Sequence, residues 1–276
     1  MPIRNILVAF NGSETSETAL HAAMQLHRRY DAHVTGILAH SGQRDRFSRR
    51  AWMPENVRSM LSAAVAEDEE RVETLFRSLT AEHVPAEKLH WITLYGEPDS
   101  TVAQYACMYD LTLVGKYDAV SGRDNADVHP EQIAMQSGRP VLMVPARPAE
   151  GSLHRRAVLA WDGQRAATRA LNDAMQLLEA DQPVDVISIG DRHVRPPLKG
   201  VDVVKALARH DVAATRIRKS EVTDSVGADL LSYCKEVDAG LLVMGAFERS
   251  VFREELFGGT TKHVLMHAEL PVLISH

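Results

Sequence analysis

The sequence predicts an α/β protein built from two tandem doubly wound parallel-sheet domains of the Rossmann-like kind. Two observations predict it: the chain contains a collinear internal repeat, and each copy alternates short apolar strands with helical segments. "ILVAFNGSETSETALHAAMQL" (Ile6 to Leu26) lies over "AVLAWDGQRAATRALNDAMQL" (Ala157 to Leu177), matching Gly12 to Gly163, Ala19 to Ala170, Leu20 to Leu171 and the run Ala23 to Leu26 to Ala174 to Leu177. "LTLVGKY" (Leu111 to Tyr117) lies over "LLVMGAF" (Leu241 to Phe247), and "RPVLMVP" (Arg139 to Pro145) over "LPVLISH" (Leu270 to His276). The offset shrinks along the chain, so the first copy carries roughly 20 extra residues around "SGQRDRFSRRAWMPENVRSMLSAA", after its second strand. Pro, Gly and charge in "ARPAEGSLHRR" interrupt the apolar pattern between the copies, which predicts domains at 1–148 and 155–276.

Each copy reads strand, helix, strand, helix, strand, helix, strand, helix, strand. In the second copy the strands are "AVLAW", "VDVISIG", a weaker "AATRIRK", "GLLVMG" and "PVLISH". The helices fall at Ala166 to Glu179, around Val203 to His210, at Val226 to Val237 and at Thr261 to His267. Nearly continuous apolar strands mark a parallel sheet covered on both faces. In the first copy, His129-Pro130-Glu131 starts the last helix with proline at its first position.

Composition narrows the function class. With 31 basic against 37 acidic residues and a net charge of -6, the chain is not a general nucleic-acid or anionic-membrane coat. No apolar run approaches the ~20 residues that span a bilayer. The first residues carry no leader pattern, and the two cysteines, Cys107 and Cys234, form neither a disulfide framework nor a Cys-x-x-Cys site. The expectation is a cytoplasmic protein.

Ligands of doubly wound sheets sit beyond the carboxyl ends of the strands where strand order reverses, which directs attention to the loops after strands one, two and four. Asp162 and Gly163 fall at the first strand-to-helix turn of the second copy. A carboxylate there accepts hydrogen bonds from a ribose or base, or serves as a helix-cap acceptor; the sequence leaves both readings open. Gly245 ends the fourth strand, and Gly258-Gly259-Thr260-Thr261 precedes the last helix. Glycine lets backbone approach a ligand, and amides at a helix N-terminus attract phosphate, with Thr hydroxyls and Lys262 or Arg253 in support. A flexible loop followed by a Thr-capped helix is the alternative.

"AWDG", "VMGAF", "FREELFGGTTKHVL" and "PVLISH", in this order within a unit of about 120 residues, resemble the universal stress protein family, and the whole chain resembles its tandem form. The resemblance implies an adenine nucleotide alpha hydrolase-like fold. It also implies a site for ATP or another adenine nucleotide, with Mg2+ only alongside a triphosphate. Carried over, Asp162 is the family's aspartate, Ile189 the apolar residue ending strand two, Gly245 and Gly258 are loop glycines, and Gly259 with Thr260 stand at the hydroxyl position. Ala160, Trp161 and Met244 flank them in the same motifs. Glu248 departs from the pattern, putting a carboxylate where a loop glycine is expected. In the first copy Asn11 replaces the aspartate and no Gly-Gly-Thr cluster follows Gly115, so that copy is expected to be structural or a partner surface.

The implied function is an adenine-nucleotide-binding stress-response protein, regulatory and not catalytic, working through its C-terminal domain and through protein partners. The alternative is a scaffold or pseudo-dimer in which "VLMVP" and "VLISH" pair across the domain interface, with further homodimerisation open. Slow ATP hydrolysis ranks third, with only Asp162 or Glu248 as candidate bases. His263 and His267 lie four apart, a spacing that suits either a metal or a solvated helix end. Arg44, Arg46, Arg49 and Arg50 in the insert read as a solvated lid. Neither a P-loop, a Gly-x-Gly-x-x-Gly fingerprint nor a Gly-x-Ser-x-Gly elbow occurs.

Overall fold

The computed structural model describes residues 3–41, 54–117, 126–147, 151–178, 182–190, 194, 202–246 and 259–276. Glu248, Arg253, Gly258 and the arginines of the insert lie outside the described residues.

The first half runs β1 (Asn5–Ala9), α1 (Glu14–Tyr30), β2 (His33–His40), α2 (Glu55–Thr80), β3 (Leu89–Tyr95), α3 (Pro98–Ala106), β4 (Leu111–Gly115), α4 (Pro130–Ser137) and β5 (Val141–Val144). The second runs β6 (Ala157–Ala160), α5 (Arg165–Ala174), β7 (Val184–Ile189), α6 (Val203–Ala208), β8 (Ala214–Lys219), α7 (Val226–Glu236), β9 (Leu241–Gly245), α8 (Gly259–His267) and β10 (Val272–Ser275). The weak "AATRIRK" segment is a strand, because it closes one edge of the sheet, where only half of its residues need to be apolar. Pro130 opens α4 as the sequence predicts, with His129 at the N-cap.

The ten strands form one sheet in the order β3-β2-β1-β4-β5-β10-β9-β6-β7-β8. All neighbours are parallel except β5 and β10, which join the halves antiparallel through Val272↔Met143, Leu273↔Leu142 and Ile274↔Val141. This is the pairing expected of "VLMVP" and "VLISH". Leu142 and Leu273 occupy equivalent positions in the repeat and face each other, so the seam is isologous, as in a two-fold dimer made within one chain.

Alternation along the strands distributes side chains to two cores. Ile6, Val8, Leu241 and Val243 point to the face covered by α1, α2, α5 and α6; Leu7, Ala9, Leu242 and Met244 point to the face covered by α3, α4, α7 and α8. Both cores run unbroken across the β5–β10 seam.

The inserted residues explain the largest difference between halves. Among the described residues between the second and third strands, the first half has the 26-residue α2 and the second half the six-residue α6. α2 docks through Phe76, which packs 5.5 Å from Phe10 and 4.9 Å from Trp91 between ring centroids. Gly36 makes room for this cluster: a Cβ there would come within 2.6 Å of the Trp91 ring.

One helix boundary differs from expectation by more than two residues. α5 ends at Ala174 and not at Glu179, and the chain turns through Met175 and Leu177. The Gln176 carbonyl accepts from the Tyr30 hydroxyl of the first half at 2.7 Å, so contact between halves takes an acceptor that helical propensity assigns to the next turn. The second half is also pinned inside: Asp185, 2 % exposed, accepts from Arg156 Nη1 at 2.8 Å and from the Tyr233 hydroxyl at 2.9 Å.

Candidate functional site

The strand order reverses between β6 and β9 in the second half and between β1 and β4 in the first, which places one crevice at the carboxyl ends of each set of strands. Ala160, Trp161 and Asp162 leave the end of β6, Ile189 ends β7, and Met244 and Gly245 end β9. Gly259 and Thr260 open α8.

Asp162 fixes the turn into α5. Its Oδ1 accepts from the Gln164 backbone N–H at 2.9 Å, while Gly163 takes φ of 76°, a left-handed conformation that glycine reaches without Cβ strain. The helix N-cap is Gln164, and none of the first-turn amides is held by Asp162. Of the two sequence readings, a helix-cap carboxylate is therefore replaced by a turn carboxylate. Among the described residues its Oδ2 has one long contact, 3.4 Å to Gln164 Nε2, and Asp162 as a whole is half-buried.

The neighbouring residues divide into wall and core. Trp161 closes the strand end through its N–H to Ile187 O at 2.8 Å, and its carbonyl accepts from the Ser188 hydroxyl at 2.6 Å. Ile189 is 7 % exposed and Met244 is 3 % exposed; both side chains belong to the core under α7 and α8. Gly245 has a packing reason to be glycine: a Cβ there would lie 2.5 Å from the Ala166 carbonyl carbon and 2.7 Å from Ala166 Cβ and Ala167 N, inside the first turn of α5. Gly115 meets Thr15 and Ser16 of α1 in the same way. Close approach of backbone is thus real at Gly245, but what approaches is a helix. At Gly259 a Cβ would meet nothing within 4 Å, and Thr260 is half-buried beside the exposed glycine.

The first half repeats the turn with different chemistry. Asn11 Oδ1 accepts from Ser13 N at 3.0 Å, and Gly12 has φ of 74°. The Asn11 amide, which a carboxylate cannot imitate, donates to Asp127 Oδ1 at 3.1 Å and Ala126 O at 3.4 Å. This ties residues 126 and 127 across the end of β1. The crevice there is shallow and open to solvent, lined by Phe10, Asn11, Ser13, Ile37, Lys116 and Asp127 among others.

At the start of α4, where the second half has Gly259 and Thr260 at the start of α8, stands His129. Asp99 on α3 accepts from its backbone N–H at 2.6 Å and from Nδ1 at 2.9 Å, and that hydrogen bond raises the imidazole pKa above its ordinary value. In the second half Gly227 stands at the corresponding place, two residues after the N-cap of α7, and the nearby carboxylate, Asp229, turns to Thr223, accepting from its N–H at 2.8 Å and its hydroxyl, bonds that hold its pKa down. Sequence reasoning missed Asp99, Lys116 and Asp127. No motif marks them, because they come together only through contacts between distant segments.

His263 and His267 have ring centroids 4.3 Å apart, with His267 Nδ1 2.8 Å from the His263 carbonyl. Among the described residues no group of three or more His, Cys, Asp or Glu is arranged to hold a metal ion, and no helix is long and apolar enough to cross a membrane.

The model of the universal stress protein family matches residues 2–115 and 154–276, one match in each half. The chain belongs to the universal stress protein family. Among solved structures, this universal stress protein is similar to one from Archaeoglobus fulgidus DSM 4304, with 15 % identity, a TM-score of 0.68, and coverage of 98 % of this chain and 97 % of the other. It is also similar to a functionally unknown protein from Pseudomonas aeruginosa PAO1, with 16 % identity, a TM-score of 0.57, and coverage of 99 % and 92 %. At these identities the likeness concerns the fold, here the whole two-part arrangement. No curated protein matches this universal stress protein.

Proposed function

We propose that this universal stress protein binds an adenine nucleotide, ATP, ADP or AMP, in its second half and uses occupancy as a regulatory signal to protein partners in the cytoplasm. The halves act as domains at 1–148 and 155–276. The observation that carries the reading is the contrast between the two crevices. In the first, the Asn11 amide holds the chain's own Ala126 and Asp127; in the second, Asp162 presents a carboxylate oxygen whose described hydrogen bonding is a single long contact. A carboxylate beside a β-strand end is a good acceptor for ribose hydroxyls or the N–H groups of a base. Ala160 and Trp161 contribute the strand-end wall for the adenosine, with the buried Ile189 packed behind it at the end of β7. Met244 and Gly245 hold β9 and α5 in place, and Gly259 and Thr260, with Gly258 before them, receive phosphate at the start of α8. Mg2+ accompanies the ligand only when it is a triphosphate.

Calorimetry on the full chain with ATP, ADP and AMP tests this, with Asp162→Ala and Asn11→Ala as paired variants. One site per chain is expected, weakened at least tenfold by Asp162→Ala and unchanged by Asn11→Ala. No heat, with no thermal shift at millimolar nucleotide, would refute it.

A second reading is favoured by the β5–β10 seam. A sheet continuous through both halves makes a rigid pseudo-dimer, suited to scaffolding without a nucleotide. Partner binding that persists in Asp162→Ala would favour it.

A further inference from the structure

The C-terminal ends of the two last helices are each held by a cation from the opposite half. Lys116, the residue after β4, reaches across the seam, and its Nζ donates to the Ala268 carbonyl at 3.1 Å, where α8 ends. Arg169 on α5 reaches the other way and donates to the Gly138 carbonyl, where α4 ends in a left-handed glycine. The two contacts occupy corresponding places in the repeat but use residues from different elements. The repeat alone would not predict them: Ala246 stands opposite Lys116, and Thr18 opposite Arg169.

Lys116 does two things at once. Lys116 is one of the residues lining the crevice of the first half, and its ammonium sits on the carbonyl end of α8. Burial lowers its pKa below the ordinary lysine value, partly offset by Glu269, as expected of an ammonium committed to a carbonyl in a half-buried place. A cation at a helix C-terminus satisfies an otherwise unpaired carbonyl and opposes the partial negative charge there. α8 is only nine residues long, and its other end is Gly259 and Thr260. A helix this short is not stable on intrinsic propensity, so its contacts at the far end set how well ordered its first turn is.

We propose that Lys116 is a positioning residue of the second half: by capping α8 from the first-half crevice, it sets the order of the helix whose N-terminus receives phosphate. The capping holds whether or not a nucleotide binds; the consequence for phosphate rests on the function proposed above. It also gives the first half a task, since anything that draws Lys116 into its own crevice releases α8 of the other.

Full-length protein carrying Lys116→Met, which keeps the stem and removes the charge, is compared with wild type and with Lys116→Arg. Without nucleotide, amide hydrogen exchange over 259–268 is expected to accelerate about fivefold in Lys116→Met and to return toward wild type in Lys116→Arg. Exchange over 130–137, which Arg169 caps, is expected to stay unchanged and guards against general unfolding. ATP affinity is expected to fall about fivefold while adenosine affinity holds, because only phosphate touches the start of α8. Unchanged exchange over 259–268 overturns the proposal, as does equal weakening of ATP and adenosine. If wild type binds no nucleotide while α8 exchange still responds to Lys116→Met, the positioning role stands and the nucleotide reading falls.

Discussion

Replacing Gly245 by alanine separates two roles that one glycine can play at a strand end. The described backbone at Gly245 is not left-handed, so any penalty comes from the added methyl itself. That methyl would sit 2.5 Å from the Ala166 carbonyl carbon and 2.7 Å from Ala166 Cβ and Ala167 N, where about 3.5 Å is comfortable. Its neighbours are the backbone and Cβ of a helix, which cannot swing away like the end of a long side chain. α5 must therefore lift about 1 Å from the sheet, disturbing Ala166, Ala167 and Ala170, all buried beneath it. Overpacking of this kind costs ~1–3 kcal/mol, and a rigid neighbour puts Gly245→Ala at about 3 kcal/mol. For a chain of this size that is a fall in Tm of roughly 6–12 °C. Gly115→Ala, which meets Thr15 and Ser16 equally closely, is expected to match it. Gly259→Ala, with open space around the new Cβ, is expected to change stability by no more than about 1 kcal/mol, in the favourable direction. Thermal and urea unfolding followed by far-ultraviolet circular dichroism measures all three. If Gly245→Ala melts within about 1 °C of wild type, the packing argument is wrong; loss of nucleotide affinity at unchanged stability would make the glycine a ligand contact.

Two further perturbations probe the polar interior. Arg156→Met leaves the buried Asp185 with the Tyr233 hydroxyl alone and is expected to destabilise by about 2–4 kcal/mol, measured by urea unfolding; adding Asp185→Asn should recover part of the loss by removing the orphaned charge. His129, whose pKa is raised by Asp99, contributes stability that is fully present below the unfolded imidazole pKa of about 6.5 and is lost as pH rises through the higher folded value. The stability difference between wild type and His129→Gln should therefore be largest at acid pH and shrink toward pH 9; a difference independent of pH would mean that the imidazole does not titrate against Asp99.

The sequence by itself determined the architecture. Strands with apolar residues on both faces, the repeat, and the recurring Asn-Gly and Asp-Gly turns are local patterns, legible because each residue's neighbours along the chain carry the signal. Strand-five pairing was also legible, since two equivalent apolar strands ending each copy have matching free edges. Tertiary structure decided what the residues at the strand ends do. Gly245 is a glycine because a helix lies against it, and Met244 and Ile189 turn into the core. The single amide of Asn11, read as a lost aspartate, becomes a tie to Ala126 and Asp127. Lys116 and Ala268 are far apart in sequence and meet only because the β5–β10 seam is antiparallel. Hydrogen bonds and close contacts between distant segments depend on where the backbone has already been placed, and no periodicity or motif encodes them.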